Sequence, residues 1–292
     1  MTDIILLDGG MGQELVHRAG DRPTPLWSTQ VMIDHPGLVG QVHADYTRAG
    51  ATVHTTNTYA ILRDRLDGTG MEDQFEALHA AALHEAKDVG VRAGSIGPLR
   101  ASYRPDLMPP HAEAVAAYTE VARILAPQVD LINCETLASI AHARAILEAI
   151  LPLGKPVWMA FTVDDNDGTK LRSGEPLADV FAVTKGAQAI LANCSSPEAI
   201  DAAIAILATG DKPFGGYANG FTKISEGFLG DKPTVDTLTA RKDLGPDEYA
   251  QFAMGWIAKG ATIVGGCCEV GPDHIAKLAE NITDAGHGIV AP

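Results

Sequence analysis

The chain has 292 residues, 46% hydrophobic and 20% charged, a composition ordinary for a globular protein with a large core. A net charge of −15 argues against a nucleic-acid partner, which needs clustered Lys and Arg to meet phosphates. No apolar stretch approaches the ~20 residues of a membrane span, and the start, MTDIILLDGG, lacks the basic region of a signal peptide, so a cytoplasmic protein with its four cysteines reduced is expected.

Short β-branched runs alternate with amphipathic, Ala-rich stretches along the whole chain. IILLD (4–8) reads as the first strand and ends in Asp8-Gly9-Gly10; the connection that follows, 10–32, is too long for a plain turn. ATVHTTNTY (51–59) is the second strand, and the helical stretch 75–90 leads to the third, RAGSIGP (92–98). Helix 111–126, strand LINCET (131–136), helix 139–151 and strand VWMAFTV (157–163) follow. The sixth strand, AILANCS (189–195), runs into Ser195-Ser196-Pro197-Glu198, a Ser-x-x-Glu capping box with proline in the first turn. PFGGYAN (213–219) is the seventh, and a Gly- and Thr-rich connection, 220–245, is a candidate lid. Gly245-Pro246-Asp247 opens a helix before the eighth strand, ATIVGGCC (261–268), and Gly271-Pro272-Asp273 opens the last helix.

Eight strand–helix units imply parallel pairing and right-handed crossovers, and in about 290 residues they predict a single (β/α)₈ barrel spanning 1–292. An open doubly wound sheet is the alternative, but no Gly-x-Gly-x-x-Gly turn follows the first strand. In a barrel all strand C-termini meet on one face. Cys194 ends the sixth strand and Cys267-Cys268 the eighth, so three thiols converge there, with Gly265-Gly266 letting the backbone leave the ladder before the pair. Three thiolates with a fourth position open describe a catalytic zinc site. Buried apolar thiols and a redox pair are the competing readings, the latter without Cys-x-x-Cys spacing. By strand alternation Cys134 faces the helix layer, opposite to Glu135, and reads as core packing.

LLDGGMG, PLWS, YTRAGATVHTTNTY, GSIGP, ETL, NCSSPEAI and GGCCEVGPDHI together resemble the homocysteine S-methyltransferases, from about residue 4 to about residue 280. The resemblance implies a zinc ion held by Cys194, Cys267 and Cys268, with homocysteine entering the fourth position as a thiolate that attacks a cationic methyl donor. It also implies that Asp8 and Glu135 hold the substrate ammonium, that the N–H groups of Gly9 and Gly10 meet its carboxylate, and that Asn219 adds a hydrogen bond. Here Tyr217-Ala218-Asn219-Gly220 departs from the family's frequent Pro-Asn-Ser/Ala-Gly. The family's donors include S-methylmethionine, betaine and corrinoid-bound methyl groups; a small sulfonium such as S-methylmethionine is favoured, and the product is methionine. Trp27, Tyr59 and Tyr103 near strand ends suit a cationic donor, and Thr56 and Asn57 are candidates for the mouth of the barrel. His17, His43, His54 and His274 read as surface or packing residues. Two other functions stay open: a barrel lyase using Asp8 and Glu135 with structural cysteines, and a non-catalytic zinc-dependent thiol sensor. The sequence leaves homo-oligomerisation open.

Overall fold

The computed structural model describes residues 2–20, 24–230, 234 and 237–292. Among the described residues nine parallel strands form the sheet: β1 (Asp3–Leu6), β2 (Val53–Thr55), β3 (Val91–Ile96), β4 (Leu131–Leu137), β5 (Val157–Phe161), β6 (Ala189–Asn193), β7 (Phe214–Tyr217), β8 (Ile263–Val264) and β9 (Gly288–Val290). Their order is β2-β3-β4-β5-β6-β7-β8-β1-β9, and a parallel bridge between Leu7 and Val53 brings β1 beside β2 to close the barrel. Among the described residues no helix is long and apolar enough to cross a membrane.

Strand alternation sorts the core into two layers. Leu7, Val53, Ala93, Leu131, Trp158, Leu191, Tyr217 and Ile263 fill the barrel interior. Leu6, Ile132, Cys134, Met159, Phe161 and Val264 pack outward against the helices, so Cys134 is wholly buried in the helix-facing layer, as its parity requires. The predicted helices are present as Phe75–Glu85, His111–Leu125, Ile140–Ile150, Pro246–Ala258 and Pro272–Asp284, the last two opening on Gly-Pro.

The ninth strand was not expected from the sequence. β1 meets β2 only near its C-terminal end, and the seam below takes up β9, whose Gly288 and Val290 pair with Asp3 and Ile5 while Thr52 Oγ1 donates to Val290 O at 2.8 Å. The second strand is far shorter than predicted because the chain turns at Thr56. The connection 10–32 is not irregular: it contains helices Met11–Ala19 and Ser28–Asp34, with residues 21–23 outside those described. The helix cap after β6 falls one residue later than the capping box suggested. Ser196 Oγ accepts from Ala199 N–H at helix Pro197–Leu207, whereas Ser195 Oγ accepts from Val163 N–H at 2.9 Å and ties β6 to β5.

Candidate active site

The three cysteines meet at the C-terminal face. Cys194 follows β6 with a left-handed backbone (φ +48°), which turns the chain sharply out of the ladder. Its N–H donates to Tyr217 O and its carbonyl accepts from Thr162 Oγ1, both at 3.2 Å, so neighbouring strands hold it on both sides. Cys267 and Cys268 sit on a turn after β8, closed by Val270 N–H donating to Cys267 O at 3.1 Å and by Gly220 N–H donating to Cys268 O at 2.8 Å. Gly265 and Gly266 do end the ladder as expected, but through close approach and not unusual torsions. A Cβ on Gly265 would run into Leu7 and Asp8, and one on Gly266 into Val270.

The Sγ atoms of Cys194, Cys267 and Cys268 all lie within 4.8 Å of one another. Cys194 and Cys267 are joined as a disulfide, which corrects the expectation that all four thiols are free; Cys134 and Cys268 are free. Thiols gathered this closely can share a cation when reduced or bond on oxidation, so one convergence serves both states. Burial, then the charge of Glu269, pushes the Cys268 thiol up to about 12, so it needs a cation beside it to be a thiolate at neutral pH. Reduced, the set suits zinc: thiolate ligands ~2.3 Å from a tetrahedral ion lie roughly 3.8 Å apart, a spacing below the 4.8 Å that bounds all three sulfurs and open to Cys194 and Cys267 once their bond is reduced.

A cavity of about 580 Å³ opens beside the sulfurs and is lined by Asp8, Gly9, Gly10, Glu135, Cys194, Cys267 and Cys268, among others. Asp8 is buried, its Oδ2 accepting from Thr55 N–H at 2.8 Å and its carboxylate from Thr55 Oγ1. Burial first, and the charge of Glu135 after it, raises Asp8 well above the usual carboxylate range, against the pull of the Thr55 N–H. Glu135 accepts from Asn133 Nδ2 at 2.7 Å and from Ser95 Oγ at 3.2 Å, and burial pushes it up to about 7. Among the described residues no lysine or arginine pairs with either carboxyl, and two carboxyls aimed at one cavity suit an ammonium guest.

Glu135 reaches the cavity through a bulge. The register of β4 against β5 shifts between Cys134 and Leu137, where Thr136 is left-handed at φ +59°. Asn193 fixes that bulge, accepting from Thr136 N–H at 3.1 Å and donating to Thr136 Oγ1 at 3.2 Å. The Asn-Cys pair therefore has divided work: Asn193 steadies the loop that aims Glu135, and Cys194 supplies a sulfur.

Two expectations need correction. The Gly10 N–H donates to Val270 O at 2.9 Å and is directed into the protein, so it does not meet a substrate carboxylate. Both glycines are demanded by packing, since a Cβ on Gly9 would strike Val270 and Tyr46 and one on Gly10 would strike Cys267. Asn219 is buried as a turn residue, its Oδ1 accepting from Phe221 N–H at 3.2 Å, and it does not line the cavity. Tyr217, in the same motif, lines it instead and accepts from Asn133 Nδ2 at 3.1 Å.

Aromatic rings make the outer wall. Trp27 lies edge-to-face on Tyr59 with centroids 6.1 Å apart, and Tyr103 on Phe228 at 5.9 Å. Trp27 Nε1 donates to Gln13 Oε1 at 3.0 Å, and the ring covers Gly12, where a Cβ would collide with it. Thr56 and Asn57 also line the cavity. The connection 220–245 contributes Phe221, Phe228 and Leu238 as a roof; its residues 231–233, 235 and 236 lie outside those described. Of the histidines, His17 is half-exposed, but His43 and His54 are buried beside Asp8, with ligand atoms of all three within 4.8 Å, and burial holds both rings neutral near pKa values of about 3 and about 4.

Fold and site together define a (β/α)₈ barrel with a thiol-centred candidate active site at the C-terminal ends of its strands. The sequence profile of the homocysteine S-methyltransferases matches residues 5–282, and the chain belongs to that family. It is 30% identical to the homocysteine S-methyltransferase of Escherichia coli over 308 residues, covering 94% of each chain. It is 26% identical to the selenocysteine methyltransferase of Astragalus bisulcatus over 322 residues, covering 94% of this chain and 90% of that one. The metallated form of the E. coli homocysteine methyltransferase MmuM superposes with a TM-score of 0.80 at 27% identity, and its oxidized form with 0.79 at 28%, each covering 96% of both chains.

Proposed function

We propose that this enzyme transfers a methyl group from a small sulfonium donor, S-methylmethionine foremost, to homocysteine, with zinc held by Cys194, Cys267 and Cys268. The observation that carries this reading is the convergence of three sulfurs at a cavity that also receives Asp8 and Glu135. Bound there, zinc would supply the Lewis acidity that keeps an arriving thiol deprotonated at neutral pH.

The chain's own residues do the rest. Asp8 and Glu135 take the ammonium of homocysteine, and the pair of carboxyls disfavours guests without a positive head. Thr55, Ser95 and Asn133 fix the two carboxyls in place. Tyr59, Trp27, Tyr103 and Phe228 offer ring faces to a sulfonium and exclude water from the reacting sulfur. The homocysteine thiolate attacks the methyl carbon, the carbon–sulfur bond to the donor breaks, and its electron pair stays on the donor sulfur, now neutral. The thiol proton has already left to solvent, so no general base is asked of the protein. Holding the two partners in line supplies most of the acceleration.

The test is methionine yield from reduced, zinc-loaded protein given homocysteine and S-methylmethionine. Two methionines per homocysteine consumed are expected, because donor and acceptor both become methionine. Turnover with betaine but not with the sulfonium would move the donor to a quaternary ammonium. No turnover with either would remove the reading.

A further inference from the structure

We propose that the ion pair between Arg172 and Asp165, which does not line the cavity, is a positioning unit that sets both the backbone of Cys194 and the roof over the cavity; this rests on the zinc reading above. The two side chains are 11% and 8% exposed, with Arg172 Nη2 donating to Asp165 Oδ2 at 3.0 Å. Four separate segments converge on them. Asp165 Oδ1 accepts from Ser196 N–H at 2.9 Å, two residues beyond Cys194, and Oδ2 accepts from Ile224 N–H at 3.2 Å, at the start of the roof. Arg172 Nε donates to Thr162 Oγ1 at 3.3 Å, and that hydroxyl donates onward to the carbonyl of Cys194 at 3.2 Å. The guanidinium also sits 5.1 Å from the centre of the Tyr103 ring, which packs against Phe228 of the roof.

One ion pair therefore brackets the C-terminal side of left-handed Cys194, through its carbonyl by way of Thr162 and through Ser196 N–H. That conformation is unfavourable for a β-carbon-bearing residue and persists only where the surroundings over-determine it. The direction of its sulfur is set by this backbone, so loosening the bracket lets the sulfur wander from the other two. The same pair holds Tyr103, itself left-handed at φ +63°, and the first residues of the roof. A metal ligand and the wall facing the donor thus share one anchor. Outer contacts of this kind typically shift metal affinity by about 10–100-fold.

The experiment measures zinc affinity of the reduced protein by chelator competition, together with the KM of the sulfonium donor, for wild type, Arg172→Met and Thr162→Val. Arg172→Met is expected to lose about tenfold in zinc affinity or more and to raise the donor KM. Thr162→Val removes the hydroxyl's contacts to Cys194 O, Ser195 Oγ and Arg172 Nε but leaves Ile224 and Tyr103 joined to the ion pair, so it is expected to weaken zinc while leaving the donor KM near wild type. If Arg172→Met does not fold, Asp165→Asn takes its place with the same two readouts. Wild-type zinc affinity in Arg172→Met, or a lowered melting temperature with both readouts unchanged, overturns the proposal. A wild-type chain that takes up no zinc would instead remove the zinc reading on which the proposal rests.

Discussion

At the scale of single residues, Glu135 shows how binding and stability oppose each other. Burial lifts its carboxyl from the ordinary 4.5 to about 7, so the folded chain holds that proton more tightly than the unfolded chain does. The sign follows: its contribution to stability is complete below the ordinary value and is lost as pH rises to about 7. In the reduced, metal-free protein at pH 8, Glu135→Gln is expected to raise stability by of order 1 kcal/mol, read as a higher melting temperature. The same variant is expected to raise the KM for homocysteine about tenfold or more, because a charged acceptor for the ammonium is gone. A melting temperature that falls would mean the carboxylate is stabilised by contacts beyond those seen. Much at this scale was legible. Strand parity placed Cys134 outward and Glu135 inward, and the same parity, carried further, puts Asn133, Thr55 and Ser95 inward as the partners of the two carboxyls. Asn219 was misplaced because an Asn after a strand is equally good at capping a turn, which is what it does.

At the scale of elements, the site depends on departures from regular structure, and these were the least legible. A bulge in β4, the turn after Cys194 and the turn at Cys268-Glu269 each carry a left-handed non-glycine residue. Nothing in the local pattern of LINCETL announces the bulge, because the residue that stabilises it, Asn193, comes from β6. Asn193→Ala should leave the Thr136 N–H buried without an acceptor, at a cost of about 1–3 kcal/mol. The expected outcome is a lower melting temperature and a raised KM for homocysteine with zinc still bound. Unchanged homocysteine kinetics would separate the bulge from substrate binding. Glycine pairs were easier to find than to interpret. Gly9-Gly10 reads as a site of substrate approach and Gly265-Gly266 as one of strand release, but packing demands both pairs: Gly9 and Gly10 lie against the backbone of Val270 and Cys267, Gly265 against Leu7 and Asp8, and Gly266 against the Val270 side chain.

At the scale of the whole molecule, eight alternating units predicted the barrel, because parallel pairing leaves few other ways to bury that many apolar runs. The closing strand β9 escaped, since three residues near the C-terminus acquire meaning only from the open seam between β1 and β2. Barrel closure is what makes the chemistry: it brings Asp8 from the first strand, Glu135 from the fourth, Cys194 from the sixth and Cys267-Cys268 from the eighth to one cavity. Of the six non-glycine residues with positive φ among those described, four, Trp27, Arg100, Tyr103 and Cys194, line it, placing local strain on the functional face. The most direct test of the central claim is zinc stoichiometry in the reduced protein and in serine variants of its four cysteines. One zinc per chain is predicted for wild type and Cys134→Ser, and none after Cys194→Ser, Cys267→Ser or Cys268→Ser. Zinc lost with Cys134, or kept in full when any of the other three is replaced, would contradict the three-sulfur site.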